Sequence, residues 1–255
     1  MIRKFLFLAV LLTCPYLLLA QATSALPTDS NKIEHKSDVY HFKPKKLIVP
    51  AVLLGYGTLS LTYEPLKELN SSTRYEINEH QPENFTLDNF TQYVPAAAVY
   101  GLNAFGIKGR HNFADRTIIY ATSTLLTAAV VVPLKRSIHE VRPDNSNNQS
   151  FPSGHTTTAF ASAQFMFREY QEENFWLSLS GYPFAIFTGV YRTLNDRHWV
   201  GDVVAGAGFG ILSTEAAYWL FPHIKKLLTR QNINNLQLYP SYQSKIYGLN
   251  LIKTF

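Results

Sequence analysis

Between Asp115 and Leu134 the chain runs for twenty residues through mostly apolar side chains, interrupted beyond Arg116 only by hydroxyl groups. A stretch of this length and composition has few structural options. A helix closes its own backbone hydrogen bonds, and about 20 apolar residues are what a bilayer span requires. The run therefore predicts a long helix, either buried or crossing a membrane. Val200 to Phe221 has similar length, with Glu215 inside it, a costly position unless the carboxylate is paired. Thr156 to Phe167 is shorter than a span, because Arg168 and Glu169 follow directly.

The rest of the chain suggests an all-α bundle of about six core helices, embedded in a membrane. Residues 1–22 read as a signal peptide or N-terminal anchor: Arg3 and Lys4, an apolar run from Phe5, then Ala20-Gln21-Ala22 as a cleavage-like site. Residues 23–46 are a polar tether, 47–221 the helical domain and 222–255 a C-terminal tail. Within the domain, helices are expected at Leu47–Tyr63, Phe90–Ile107, Asp115–Leu134, Thr156–Tyr170, Phe175–Thr193 and Val200–Phe221. Glu64 to Asn89 is polar and reads as a connecting segment with room for a short helix. Lys135 to Gly154 reads as a loop. Small residues from Gly201 to Gly210 would let the last helix approach its neighbours closely. Tyr247 to Phe255 alternates weakly, as a short strand would.

The net charge is +5. The chain has no zinc spacing, no basic run interleaved with aromatics and no helix-turn-helix signal, so nucleic acid is the weakest partner and an anionic substrate or membrane surface is favoured. The only cysteine is Cys14, which excludes an intrachain disulfide. His35, His41, His80, His111 and His223 form no pair with metal-ligand spacing, so neither metal nor cofactor is expected.

Three clusters carry the chemistry. The first is Lys135 followed by Arg142-Pro143, and the second is Pro152-Ser153-Gly154-His155. The third is Arg192, His198 and Asp202. Cations, a hydroxyl, a glycine, two imidazoles and a carboxylate together suit holding a tetrahedral oxyanion while a histidine attacks its central atom. A His/Asp pair four residues apart is by itself more often a surface hydrogen bond, and a serine before a helix more often an ordinary cap. The co-occurrence of all three clusters reverses those odds.

In order and spacing the clusters resemble the type 2 phosphatidic acid phosphatase superfamily, which also holds bacterial class A acid phosphatases and vanadium haloperoxidases. The resemblance runs from about Asp115 to Phe221. One departure is Tyr191 before Arg192, where the family pattern usually has serine; it affects a secondary hydrogen bond rather than the chemistry. The resemblance implies a metal-independent phosphomonoesterase working through a phosphohistidine. His198 would be the nucleophile, oriented by Asp202 one helical turn away. His155 would be the general acid. Lys135, Arg142, Arg192, Ser153 and the Gly154 amide would bind phosphoryl oxygens at a helix N-terminus.

The apolar helices and the leader point to a lipid phosphate in a bacterial envelope, with the site facing the periplasm. Lipid A phosphate, phosphatidate or phosphatidylglycerol phosphate, and undecaprenyl diphosphate are the candidates the resemblance suggests. A mean hydropathy of −0.06 keeps a soluble periplasmic acid phosphatase of broad range open as the alternative. A vanadium haloperoxidase is a more distant one, because the chain is short for that class.

Overall fold

The computed structural model describes residues 44–80, 86–231, 236–243 and 246–253. The leader at 1–22 and all but the last three residues of the tether at 23–46 lie outside the described residues. Among the described residues nine α-helices follow a 3-10 turn, Pro44–Leu47: α1 Ile48–Leu59, α2 Glu64–His80, α3 Asp88–Thr91, α4 Val94–Ala104 and α5 Phe113–Ile138. Then come α6 Gly154–Tyr170, α7 Phe175–Leu179, α8 Tyr182–Leu194 and α9 Val200–Gln231. An antiparallel hairpin, β1 Leu236–Gln243 and β2 Ile246–Lys253, closes the described chain. The domain is all-α, as expected, and α1, α4, α5, α6, α8 and α9 are its six packed core helices.

The boundaries differ from the sequence reading in ways local chemistry explains. The segment that reads as a connector holds α2, seventeen residues long. Its composition is polar, but Leu66, Asn70, Thr73 and Ile77 are spaced to share one face, and Asn70 is buried. Glu64 in the first turn suits the helix dipole and pairs with Lys67 at 3.0 Å. The helix expected over Phe90–Ile107 breaks before Pro95, which opens α4. The one expected over Phe175–Thr193 breaks at Ser180-Gly181, ahead of Pro183 in α8. The helix from Val200 continues past Phe221 to Gln231, with Pro222 inside it. The expected strand at the C-terminus is present as β2, and its partner β1 has no clear sequence signal.

α5 and α9 pack antiparallel, with Asp115 against Lys225 and Ser123 against Thr214. At 1.5 Å per residue the 26 residues of α5 extend about 39 Å. Asn112 starts this helix: its side chain accepts from the Asp115 backbone N–H at 2.9 Å. At the same end Lys225 of α9 pairs with Asp115 at 2.7 Å. The core there is aromatic, with Phe165 and Tyr170 of α6 fully buried beside Ile119, Tyr218 and Phe221. Each such side chain contributes roughly 1.5–3 kcal/mol of burial. Glu215 does lie deep in α9, and it is paired: the Arg168 guanidinium of α6 is 3.4 Å away and the Gln164 amide donates to it at 2.6 Å.

Small residues let α9 press on α6 and α1. A Cβ on Gly210 would lie 2.4 Å from the Thr157 carbonyl oxygen, and one on Gly57 would lie 2.5 Å from the Ala205 methyl. Outward, Leu125 and Trp176 are 71% and 79% exposed, part of an apolar surface that a bilayer would cover. Among the described residues, Phe113–Ile138 and Val200–Leu228 are long and apolar enough to cross a membrane. A third span exists if the bent pair Pro44–Leu59 and Glu64–His80 counts as one.

Candidate active site

All eight residues singled out in the sequence meet at one end of the bundle, opposite the Asp115–Lys225 pair. Lys135 stands in the last turn of α5 rather than in the following loop, because that helix runs on to Ile138. Its ammonium donates to the carbonyls of Gln149 at 2.7 Å and Ser150 at 3.1 Å, so the helix end and the loop are tied together. His139, with φ 56°, stops the helix. The loop then crosslinks itself: Arg142 N–H donates to Asn147, Asn145 N–H to Arg142, and Ser150 N–H to Glu140. Arg142 is half-buried, and its Nε is enclosed without a hydrogen-bond partner.

Ser153 caps α6. Its Oγ accepts from the Thr156 hydroxyl at 2.9 Å and, weakly, from the Thr156 N–H at 3.5 Å. Its own backbone N–H donates to the Asp202 carbonyl at 3.0 Å, which joins the starts of α6 and α9. α6 begins at Gly154, two residues earlier than expected, so His155 lies in its first turn. A Cβ on Gly154 would meet only Lys135 Cε and Val131 Cγ1, both at 3.9 Å. The glycine therefore leaves open space beside the lysine rather than relieving a clash.

His198 and Asp202 are 2% and 1% exposed. The Asp202 carboxylate accepts from the Trp199 N–H at 3.0 Å and from the Ser150 hydroxyl. Its Oδ2 lies 3.5 Å from His198 Nδ1, longer than a formed hydrogen bond, and the Ser150 hydroxyl lies equally far from that nitrogen. The backbone N–H groups of Arg197 and His198 both donate to the Arg192 carbonyl, folding the connection back on α8. Arg74 of α2 grips Asp196 in this connection, Nε to Oδ1 at 3.0 Å and Nη2 to Oδ2 at 3.2 Å. The Arg192 guanidinium pairs with buried Asp88 at 2.8 Å and keeps an enclosed, unpartnered Nε.

Three participants carry no signal that a reading of the sequence picks up. Asp88 and Asn89 sit in a polar segment with no motif, and Asn89 Oδ1 lies 2.8 Å from His155 Nε2. Ser150 is two residues ahead of the second cluster, and nearness to Pro152 is its only mark. Tyr191, at the position of departure from the family pattern, stacks on Phe187 with ring centroids 4.2 Å apart.

The electrostatics follow from burial among cations. Burial holds the His198 imidazole well below its ordinary value, helped by the positive charges of Lys135, Arg192 and Arg142. His155 is pushed down to about 4, first by burial and then by Arg192. Both rings are therefore neutral at pH 7, and a neutral ring nitrogen is the nucleophilic form. Burial also raises the Glu140 carboxyl, with Asp202 adding to the effect. Among the described residues no three His, Cys, Asp or Glu side chains converge as metal ligands.

Fold and site together define a helical-bundle protein with a buried histidine and carboxylate facing a lysine and two arginines. Residues 116–226 match the family model described as the PAP2 superfamily. By that match the region that carries the three clusters, residues 116–226, belongs to the PAP2 superfamily. A lipid A 1-phosphatase of Porphyromonas gingivalis is 36% identical over 186 residues, 71% of this chain and 40% of that protein. One from Rhizobium etli is 29% identical over 107 residues, 35% of this chain and 43% of that protein. The chain thus spans less than half the length of the curated relatives it matches. Among solved structures, LpxE of Aquifex aeolicus aligns with a TM-score of 0.45 at 21% identity, over 59% of this chain and 94% of its own. A PAP2-type phosphatidylglycerolphosphate phosphatase of Bacillus subtilis aligns with a TM-score of 0.47 at 20% identity, over 70% and 98%.

Proposed function

We propose that this protein is a metal-independent phosphatase that removes a phosphate from an envelope lipid through a phosphohistidine on His198. The observation that carries this reading is the buried, neutral His198 with its Nδ1 toward Asp202, ringed by Lys135, Arg142 and Arg192. Asp202 would hold the proton on Nδ1, leaving Nε2 to attack phosphorus. The three cations, with the N–H groups at the start of α6, would bind the phosphoryl oxygens and stabilise their charge in transfer. Bound phosphate would offset the cations that hold the His155 ring neutral, so that the ring takes up a proton; as the P–O bond breaks, the His155 imidazolium gives that proton to the departing oxygen. Water then attacks the phosphohistidine, His155 takes a proton back, and phosphate leaves.

A lipid substrate is supported by the apolar exterior and by a cavity of about 480 Å³ beside α8, the helix that carries Arg192. Leu53, Phe160, Ile186, Val190, Val203 and Ala207 are among its walls, which suit an acyl chain. The Porphyromonas gingivalis relative favours lipid A phosphate over phosphatidate, phosphatidylglycerol phosphate or undecaprenyl diphosphate. The site would face the periplasm; the charged start and apolar run of residues 1–22, read as a signal peptide or N-terminal anchor, support that side.

The test compares kcat/KM of purified protein on lipid A phosphate in mixed micelles and on a soluble phosphomonoester, with and without EDTA, in the parent and in His198→Ala. The reading requires lipid preference, EDTA resistance, and no turnover or acid-labile protein phosphate in the variant. Equal rates on both esters would replace it with a broad-range soluble phosphatase. Residual turnover by His198→Ala would remove the phosphohistidine.

A further inference from the structure

We infer that Asn89, on the short helix α3, is a positioning residue that fixes the proton-carrying nitrogen of His155; the inference rests on the reading of His155 as general acid.

The placement of Asn89 is over-determined. On one side Asp88 pairs with Arg192 at 2.8 Å while 1% exposed. On the other, the Thr91 and Thr188 hydroxyls meet at 2.8 Å. Both contacts pin α3 to α8. Gln92 then donates its side-chain amide to the Asn89 carbonyl at 2.8 Å. Between these anchors Asn89 presents Oδ1 to His155 Nε2 at 2.8 Å.

An amide oxygen only accepts, so the contact places a proton on Nε2. Nδ1 is then the lone-pair nitrogen of the neutral ring, and the exchangeable proton enters and leaves there. In the forward step Nδ1–H breaks as O–H forms on the departing ester oxygen, and the ring returns to the neutral tautomer Asn89 holds. A histidine without this contact would divide itself between tautomers and orientations, and only a fraction would be competent. The charged groups around the ring are Arg192 of α8, Asp88 of α3, Arg142 of the loop and Lys135 of α5. The titratable His198, ahead of α9, also faces the ring. Asn89 is uncharged, so it can orient the ring without raising its proton affinity.

The experiment uses the full-length protein in detergent micelles with a lipid phosphate, comparing Asn89→Asp and Asn89→Leu with the parent. Asp keeps the acceptor and adds charge; Leu keeps the size and removes the acceptor. The proposal expects the alkaline limb of the kcat profile to move up by about one pH unit in Asn89→Asp. It expects kcat to fall about tenfold in Asn89→Leu with KM little changed. An NMR titration of His155 should show the same upward shift in Asn89→Asp, which serves if Asn89→Leu does not fold. A parent-like profile in Asn89→Asp, with His155→Ala slow, overturns the role of Asn89 alone. Full activity in His155→Ala overturns the general acid and the inference together.

Discussion

Gly206 on α9 is where the fold and the site can be separated by one methyl group. A Cβ there would lie 2.7 Å from the Ser153 carbonyl oxygen and 3.2 Å from Thr156 Cβ and Thr157 Oγ1. Ordinary contact begins at 3.4 Å, so the backbone of Ser153 must retreat by about 0.7 Å, the difference between the two distances. That carbonyl is not a free neighbour: it accepts from the Thr157 N–H at 3.0 Å and the Thr157 hydroxyl at 2.7 Å. Ser153 is followed by Gly154 and His155, so the same shift displaces the turn proposed to bind the phosphoryl oxygens. Alanine in a helix interior gains about 0.5–1 kcal/mol over glycine, and overpacking costs about 1–3 kcal/mol. Gly206→Ala should therefore lose only about 0–2.5 kcal/mol of stability, the difference of those ranges. The rate should suffer more, because a 1 Å misplacement of reacting groups costs on the order of 100-fold. We expect kcat to fall 10- to 100-fold, on the order set by that displacement. Gly101→Ala in α4 is the control, since nothing lies within 4 Å of its added Cβ. It should gain about 0.5–1 kcal/mol and keep its rate. The assay is phosphate release in micelles beside thermal unfolding of the same samples. A Gly206→Ala protein within twofold of the parent rate would refute the close coupling of α9 to the turn before His155.

Three further perturbations probe other links. Removing Glu215 leaves the Arg168 guanidinium in the interior, so Glu215→Leu should cost about 3–5 kcal/mol, and adding Arg168→Met should recover most of it; equal denaturation midpoints for all three proteins would contradict the pairing. Arg74→Ala releases Asp196, which holds φ 55° two residues before His198, so kcat should drop about tenfold and Arg74→Lys should not restore it, because lysine lacks the planar fork. His198 and His155 both bind protons less readily folded than unfolded, so stability should be level above about pH 6.5 and fall as pH drops toward 4, where the unfolded chain binds more protons. Melting temperatures across that range should show the decline, and His198→Gln should lessen it, leaving the share that His155 contributes.

The parts legible in the sequence are those that depend on few neighbours. Long apolar runs mark α5 and α9, since their backbone bonds are internal. The glycines from 201 to 210 announce close packing, which the contact of Gly206 with Ser153 realises. Lys135 reads as loop because apolar character ends at Leu134, whereas helical geometry continues four residues further to Ile138. α2 is hidden for a related reason: its buried face includes Asn70, which accepts from Gly201 N–H at 3.2 Å, so polarity there records a tertiary bond. Asp88, Asn89 and Ser150 cannot be found locally. Each enters the site by touching a residue 48 or more positions away, and no periodicity carries that information.

The charge arrangement explains why such distant pieces must be assembled so tightly. Lys135, Arg142 and Arg192 bring three positive charges, against which stand the carboxylates of Asp88 and Asp202. Asp88 is bound to Arg192 and Asp202 is occupied by Ser150, Trp199 and His198. The lysine is taken up by two loop carbonyls. What remains is an Nε on each arginine, enclosed and without a partner. An unsatisfied buried donor costs about 1–3 kcal/mol, more when charged. A tetrahedral oxyanion would satisfy both, and its charge would offset the cationic excess that keeps His198 and His155 neutral. Packing elsewhere, in the α6–α9 seam and the aromatic core at the opposite end, offsets that cost.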